Sequence, residues 1–332
     1  MRICVFGAGA IGGHLAARLA HGARSSGVQV SVVARGAHLR AMQQRGLTVR
    51  ARDGVLRCQP NATDHPATLG PQDAVIVTTK APALGTVAAA IAPLLHGDTA
   101  VAFVMNGIPW WYHDRTARDG ARMPALDPGE SIRRAVGIPR TLGGVVYSAA
   151  TVVEPGVVEA LAGDGRVVLG ELDGSVTPRL IALADAVAAG GMGGQAVPDI
   201  RMAVWSKLLG NLMTGPICVL ARRDMGTLLA EPTLREAAIR VGEEVVAIAA
   251  AYGFDLGGSV AARAGRSAGL RHRPSILQDL EAGRPMEVEA LWRAPLGLAA
   301  DAGVPAPTLA LLVALASQAA EGKGCWAPGA SA

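Results

Sequence analysis

Aromatic residues are scarce in this 332-residue chain, at 3%, and charged residues make up only 17%. Half of the residues are nevertheless hydrophobic, so Ala, Val, Leu and Gly carry the apolar content, as in closely packed α/β and helical layers. Burial of a large core is secure, and the length points to two domains. The net charge is 31 − 27 = +4, with no run of five or more Lys or Arg. The electrostatic footprint of a nucleic-acid or membrane-surface binder is therefore missing. The four cysteines are widely scattered, without a C-x-x-C or a Cys/His cluster. That pattern speaks against a structural zinc site or a disulfide framework and makes a reducing, cytoplasmic setting the default. The longest late apolar stretch, TLALLVALASQAA at 308–320, falls short of the roughly 20 residues that span a bilayer.

What is present begins at once. RICVF reads as a buried strand, GAGAIG follows without a break, and GHLAARLA reads as a helix. Strand, glycine turn and helix in this order form the context that the dinucleotide fingerprint requires. Gly7 permits the tight turn, Gly9 lets backbone approach a pyrophosphate, and Gly12 lets helix and strand pack closely. Ala10 and Ile11 lie between them, where the helix N-terminus offers free N–H groups and a positive dipole end. A secretory signal would have a clearer basic start and a cleavage site. Here a second strand, VQVSVVAR, follows instead. It ends in Ala34-Arg35-Gly36, without the acid that would accept hydrogen bonds from ribose hydroxyls. Arg35 can pair with and stack beside a 2′-phosphate, which favours NADP, or it is a solvated surface arginine. His38 and Arg40 are indistinguishable here from ordinary helix surface.

Further along, 47–59 reads as a hairpin turning at Asp53-Gly54, and 74–82 as a buried strand followed by a helix over 84–95. Another strand at 100–109 runs into a loop, and the polar, Gly/Pro-rich stretch 111–140 resembles a surface insertion. Two more strands turn at Pro155-Gly156, and a helix is expected over 175–191. After 197 the texture becomes helical, with helices expected at 199–214, 226–252, 275–282, 286–301 and 307–321. The expected fold is a Rossmann-type doubly wound α/β sheet followed by an all-helical domain. The expected division is 1–197 for NADP binding and 198–332 for substrate and dimerisation, the helical part running to about 325 and a loose tail following it.

Four places can carry chemistry. Lys80 closes a strand at the rim where ligands of doubly wound sheets bind, where it either holds a phosphate or carboxylate or escapes to solvent. Asn106-Gly107 closes the next parallel strand, and Asn-Gly is also a common turn dipeptide. In DIRMAVWSKLLGNLMTGP, Lys207 and Asn211 are spaced i, i+4 and share a helix face. Such a pair is commonly solvated, but Trp205, Leu208, Leu209 and Leu212 leave little room for a wet side. A lysine in such a cleft has a lowered pKa and can donate a proton. In RPSILQDLEAGRPMEVEAL, Ser275 and Gln278 form an S-x-x-Q capping box, and Glu287 lies in a first helical turn, where the dipole alone favours a carboxylate.

Taken together, GAGAIGG, VTTKAP, MNGIP, VWSKLLGN and PSILQDLEAGRPMEVEAL resemble, in this order, the ketopantoate reductase (2-dehydropantoate 2-reductase) family. The resemblance implies a Rossmann domain, a helical domain, an active site in the cleft between them, and NADPH-dependent reduction of a branched 2-oxo acid to the D-hydroxy acid in pantothenate biosynthesis. It further implies that Lys207 is the general acid and that Glu287 positions substrate and lysine. Asn211 and Ser275 would contact substrate, and Asn106 and Lys80 would form the strand-end pair near the nicotinamide. The partners implied are a small 2-oxo acid and a second copy of the chain, with no nucleic acid, membrane or metal.

Several positions depart from the family. Gly215 stands where a second Asn is usual, and Leu291-Trp292-Arg293 replaces an Asn-Gly pair. Pro295 should kink or break its helix. Trp110-Trp111 either line an apolar pocket or cover the sheet edge. These departures suggest the family chemistry on a different, bulkier 2-oxo acid. The competing readings are a divergent 2-hydroxyacid or β-hydroxyacid dehydrogenase, against which LQDLEAGRPMEVEAL argues, and a non-catalytic NADP-binding sensor.

Overall fold

The computed structural model describes residues 1–329, apart from the side chains at 24–26 and 162–164. The described chain divides into two compact units, Met1–Met105 with His113–Ile200, and Asn106–Tyr112 with Arg201–Ala332. The sequence division at 197/198 does not anticipate that the short stretch 106–112 groups with the helical part.

The first unit is built on a sheet of ten strands. The opening run forms β1 (Arg2–Phe6), the glycine turn leads into α1 (Ala10–Ser26), and β2 (Gln29–Val33) and α2 (Gly36–Arg45) complete the second βα unit. The hairpin is β3 (Leu47–Ala51) and β4 (Gly54–Cys58). The Asp53 carboxylate in its turn accepts two bonds from the Arg18 fork on α1, at 2.7 and 2.5 Å. Then come β5 (Asn61–Thr63), β6 (Ala74–Val77), α3 (Leu84–Ala90), β7 (Ala100–Val104), α4 (Ser131–Val136), β8 (Thr141–Glu154), β9 (Val157–Glu171), α5 (Pro178–Ala189) and β10 (Gly193–Ala196). Strands β5-β2-β1-β6-β7-β8 lie side by side and all parallel. This is the order 3-2-1-4-5-6 of the dinucleotide-binding sheet, with its switch point between β1 and β6. The strands carry near-continuous apolar runs because helices can cover both faces. Beyond β8, β9 returns antiparallel and receives β3 on its far side. The stretch 111–140 is less of a surface insertion than its composition suggests. The Asp127 carboxylate caps α4 at the N–H groups of Ile132 and Arg133, 2.9 and 3.0 Å away, and Arg133 forks onto buried Asp114.

The second unit consists of helices and loops: α6 (Ile200–Ala221), α7 (Met225–Ala230), α8 (Pro232–Ala251), α9 (Val260–Ser267), α10 (Ser275–Glu281), α11 (Ala294–Asp301) and α12 (Pro307–Gly322). Helix α6 does not stop at 214 as the TGP stretch suggests. It contains Pro216 and runs on to Ala221, so the lost N–H bond at Pro216 is outweighed by burial of Leu212, Met213, Ile217 and Cys218. It is the one described helix long and apolar enough to cross a membrane, and it is mostly buried inside the protein. Helix α9 was not expected from the sequence. Pro295 does not break its helix either. It is the second residue of α11, directly after a π-helical stretch, Glu289–Arg293, that shifts the hydrogen-bond register.

Candidate active site

The glycine turn is shaped by what a side chain would meet there. Gly7 has φ +102°, a region where side chains are strained, and a Cβ on it would lie 2.6 Å from Thr79 Cγ2. A Cβ on Gly12 would lie 2.0 Å from the Gly7 carbonyl oxygen and 2.4 Å from Thr78 Oγ1, and that hydroxyl donates to the same carbonyl at 2.6 Å. Gly9 is the opposite case, with no atom within 4 Å of its Cβ position. It is the N-cap of α1, extended, without a side-chain cap and without acids in the first turn. Open space in front of uncapped helix N–H groups, at Ala10 and Ile11, is what a pyrophosphate requires. Beside it, Thr79 Oγ1 is buried with no hydrogen-bond partner among the described residues. The residues present therefore fit a dinucleotide.

Arg35 is exposed at the N-cap of α2, and no acid occupies the first turn of that helix. His38, left open by the sequence, is occupied elsewhere: its Nδ1 accepts the Gly156 N–H at 2.9 Å, and burial lowers its pKa below the ordinary imidazole value. Lys80 is half-buried in extended backbone just before a short 3-10 turn at Ala81–Ala83.

In the second unit, three stretches far apart in sequence converge. Helix α6 is anchored to the 106–112 stretch at Tyr112: Arg201 Nε donates to the Tyr112 carbonyl and Trp205 Nε1 to its hydroxyl, both at 2.8 Å. Two residues further along α6, Lys207 Nζ donates to Asn106 Oδ1 at 2.5 Å. The residue after Asn106 is Gly107, with φ +82° and its Cβ position 2.4 Å from the Ala290 carbonyl oxygen. The Ile108 N–H donates to that same carbonyl at 2.8 Å. Only a glycine lets the loop sit this close to the stretch that carries Glu287, which is 7% exposed.

Removal of the Lys207 ammonium from water lowers its pKa to about 8, against a smaller upward pull from the Glu287 carboxylate. An amine with such a pKa can exchange a proton near neutral pH. Arg263, which the sequence did not single out, donates from Nη1 to the Ser206 carbonyl at 3.2 Å, one residue before Lys207. No spacing in the sequence connects α9 to α6.

Other expectations need correction. Ser275 does not form a capping box: it is the first residue of α10, after Pro274, without a side-chain cap bond. Gln278 Nε2 donates instead to the Arg273 carbonyl at 2.8 Å, so the hydroxyl of exposed Ser275 has no cap role. Glu287 precedes the helical turn rather than lying within it, and its carbonyl accepts the Leu291 N–H at 2.9 Å. Asn211 lies one turn after Lys207, half-buried on α6. One turn further, the Cβ position of Gly215 is 3.6 Å from Trp292 Nε1 and 3.8 Å from Ile276 Cγ2. The N–H edge of an indole thus faces the place where a side chain is missing. Trp110 and Trp111 are 2% and 1% exposed, and the Arg201 guanidinium lies 5.4 Å over the Trp111 ring. Both are buried within the second unit.

A family model described as Ketopantoate reductase PanE/ApbA matches residues 3–174, and its companion, Ketopantoate reductase PanE/ApbA C terminal, matches residues 199–320. A 2-dehydropantoate 2-reductase of Mesorhizobium japonicum is 38% identical over 331 residues, covering 98% of this chain and all of its own. The enzyme of that name from Archaeoglobus fulgidus is 30% identical, over 87% of each chain. A crystal structure of 2-dehydropantoate 2-reductase from Geobacter metallireducens superposes with a TM-score of 0.83 at 28% identity, over 96% of this chain and all of the other.

Proposed function

Because the chain belongs to the ketopantoate reductase family and is thus an oxidoreductase acting on CH–OH groups, we propose that it reduces 2-dehydropantoate or a close 2-oxo acid analogue to the D-2-hydroxy acid, with Lys207 as proton donor. The observation that carries this reading is the Lys207 ammonium, desolvated to a pKa of about 8, bonded to Asn106 and faced by the charge of Glu287. Bound NADPH would supply the hydride, held by the Gly7, Gly9 and Gly12 turn with the backbone of Ala10 and Ile11. Arg35 would meet the 2′-phosphate and Lys80 a phosphate or carboxylate.

As the carbonyl is reduced, negative charge builds on its oxygen. An ammonium beside that oxygen stabilises the charge and then delivers its proton from Nζ. Asn106 takes one of the three ammonium protons, which aims the others. Glu287 keeps the amine protonated at neutral pH by its charge. Asn211 and Ser275 are the proposed donors to substrate, and the gap at Gly215 beside the Trp292 N–H supports a side chain bulkier than that of ketopantoate. The same reading carries the cytoplasmic setting and the homodimer. Exposed Leu311 and Leu315, one turn apart on α12, support a self-contact.

The test is to follow NADPH oxidation against a panel of 2-oxo acids that includes ketopantoate, with wild type and Lys207→Ala. Turnover of at least one acid, lost in the variant, is expected. No turnover on any of them would refute the reductase reading, and undiminished turnover in the variant would remove Lys207 from its role.

A further inference from the structure

The stretch that carries Glu287 is held by its own helix only at its end, where the Glu287 carbonyl accepts the Leu291 N–H. Residues 284–287 are irregular, and Pro285 has no N–H to offer. Arg284 is tied back to Asp279, and a second hold, next to Glu287, comes from beyond α12. Gly324, with φ +69°, turns the chain back, supported by bonds from the Gly324 N–H to Glu321 O at 2.8 Å and from the Cys325 N–H to Ala320 O at 2.9 Å. The returning chain presents the Cys325 carbonyl to the Met286 N–H at 2.9 Å, directly before Glu287. Met286 and Cys325 are 1% and 3% exposed, so this bond is shielded from water. At the other end of the stretch, the Arg293 guanidinium lies 5.5 Å over the ring of Trp326 and forms an ion pair with Glu289, Nε to Oε1 3.3 Å. The expectation of a loose tail directly after 325 therefore fails at Trp326.

Two consecutive residues thus grip both ends of 286–293, with Glu287 and the π-helical turn between them. Trp326 Nε1 is buried without a hydrogen-bond partner among the described residues, so the ring is retained for its faces and not for its N–H. We propose that Cys325–Trp326 is a strap that positions Glu287, and through it sets how Lys207 ionises. The inference rests on the Lys207–Glu287 pairing proposed above. Its physical basis is that a carboxylate's pull on a neighbouring ammonium falls with distance and rises as water is excluded. Of the charged groups on the elements around it, Glu287 is the one that raises the pKa of Lys207. Asn106 is neutral, and Arg293 is paired with Glu289. Release of the strap lets the carboxylate turn towards water, and the lysine loses its proton at lower pH.

The chain contains three lysines, Lys80, Lys207 and Lys323, which makes a direct titration practical. The full chain is labelled with ¹³C at the lysine side chains, Lys207 is assigned by elimination with Lys80→Arg and Lys323→Arg, and its resonance is followed against pH. Trp326→Ala should shift the Lys207 midpoint to lower pH, in the direction of Glu287→Gln and by a fraction of that shift. Trp326→Phe, which keeps an aromatic face for Arg293, should return it towards wild type. In the Glu287→Gln background, Trp326→Ala should move it no further. A midpoint unchanged by Trp326→Ala while Glu287→Gln moves it would refute the strap and leave the Lys207–Glu287 pairing intact. A midpoint unchanged by Glu287→Gln itself would refute the pairing and the strap with it. Loss of fold in Trp326→Ala shows as collapse of all three resonances onto one random-coil titration, and Arg293→Gln then takes its place, with the same downward shift required.

Discussion

The glycine turn and the lysine centre are built on opposite principles. The turn is made of backbone: Gly7 and Gly12 matter because a side chain would collide there, and Gly9 because nothing fills the space in front of it. The lysine centre is made of side chains, with Lys207, Asn106 and Glu287 brought together from three stretches and buried enough to move a pKa. Damage to the turn should therefore appear in folding and cofactor binding, and damage to the centre in chemistry and its pH dependence.

The largest effect is expected at Gly12. Gly12→Val places carbon where the Gly7 carbonyl and Thr78 already sit, so thermal unfolding should show a much less stable or unfolded protein and calorimetry no NADPH binding. Gly9→Ala sharpens the point, because its Cβ meets no protein atom: Tm should hold while NADPH affinity falls. Equal loss of Tm in both variants would break the distinction between the two glycines.

Next comes Lys207→Ala. Removal of a general acid costs on the order of 10²–10⁴ in rate, and kcat should fall by that much while NADPH Kd is unchanged. A matching loss in cofactor affinity would show that the centre and the turn are not separable.

A smaller effect is expected at Arg35. Loss of one charge-assisted contact to a phosphate is worth about 1.5–3 kcal/mol, so Arg35→Ala should raise NADPH KM by roughly tenfold or more. NADH KM should stay constant, and equal changes for both cofactors would refute the 2′-phosphate role. The smallest effect is expected for Ser275→Ala. Its hydroxyl makes no cap bond, so Tm should be constant and only KM for the 2-oxo acid should rise. A drop of several degrees in Tm would restore the capping role.

This contrast also explains what could be read from the sequence. A backbone-built site needs glycines at fixed spacing after a strand, and all of that lies within residues 2–12, so turn, helix and sheet class were legible. The strand order beyond β8 was not, because pairing of β3 with β9 depends on contacts far apart in sequence. For the lysine centre, periodicity put Lys207 and Asn211 on one face of α6 but gave no reason to join them to Asn106 or Glu287. The family resemblance supplied that link. Local rules failed where tertiary packing overrode them. The S-x-x-Q pattern at Ser275 formed no box because Gln278 turned back to Arg273, and burial carried α6 through Pro216. Cys325 and Trp326 lie in a short, glycine-rich stretch without helical periodicity, and only the bond to Met286 and the contact with Arg293 show that it is held.

Proton delivery by Lys207 requires a buried ammonium whose pKa is near 8. The pH dependence of kcat/KM for the 2-oxo acid tests it most directly, because that profile reports the ionisation of the free enzyme. The donor must be protonated, so activity should be full below about pH 8 and fall as pH rises through it. Glu287→Gln removes the upward pull on the lysine and should move the falling limb to lower pH. Lys207→Arg, whose guanidinium does not titrate in this range, should abolish the limb. A limb unmoved in both variants would contradict the account.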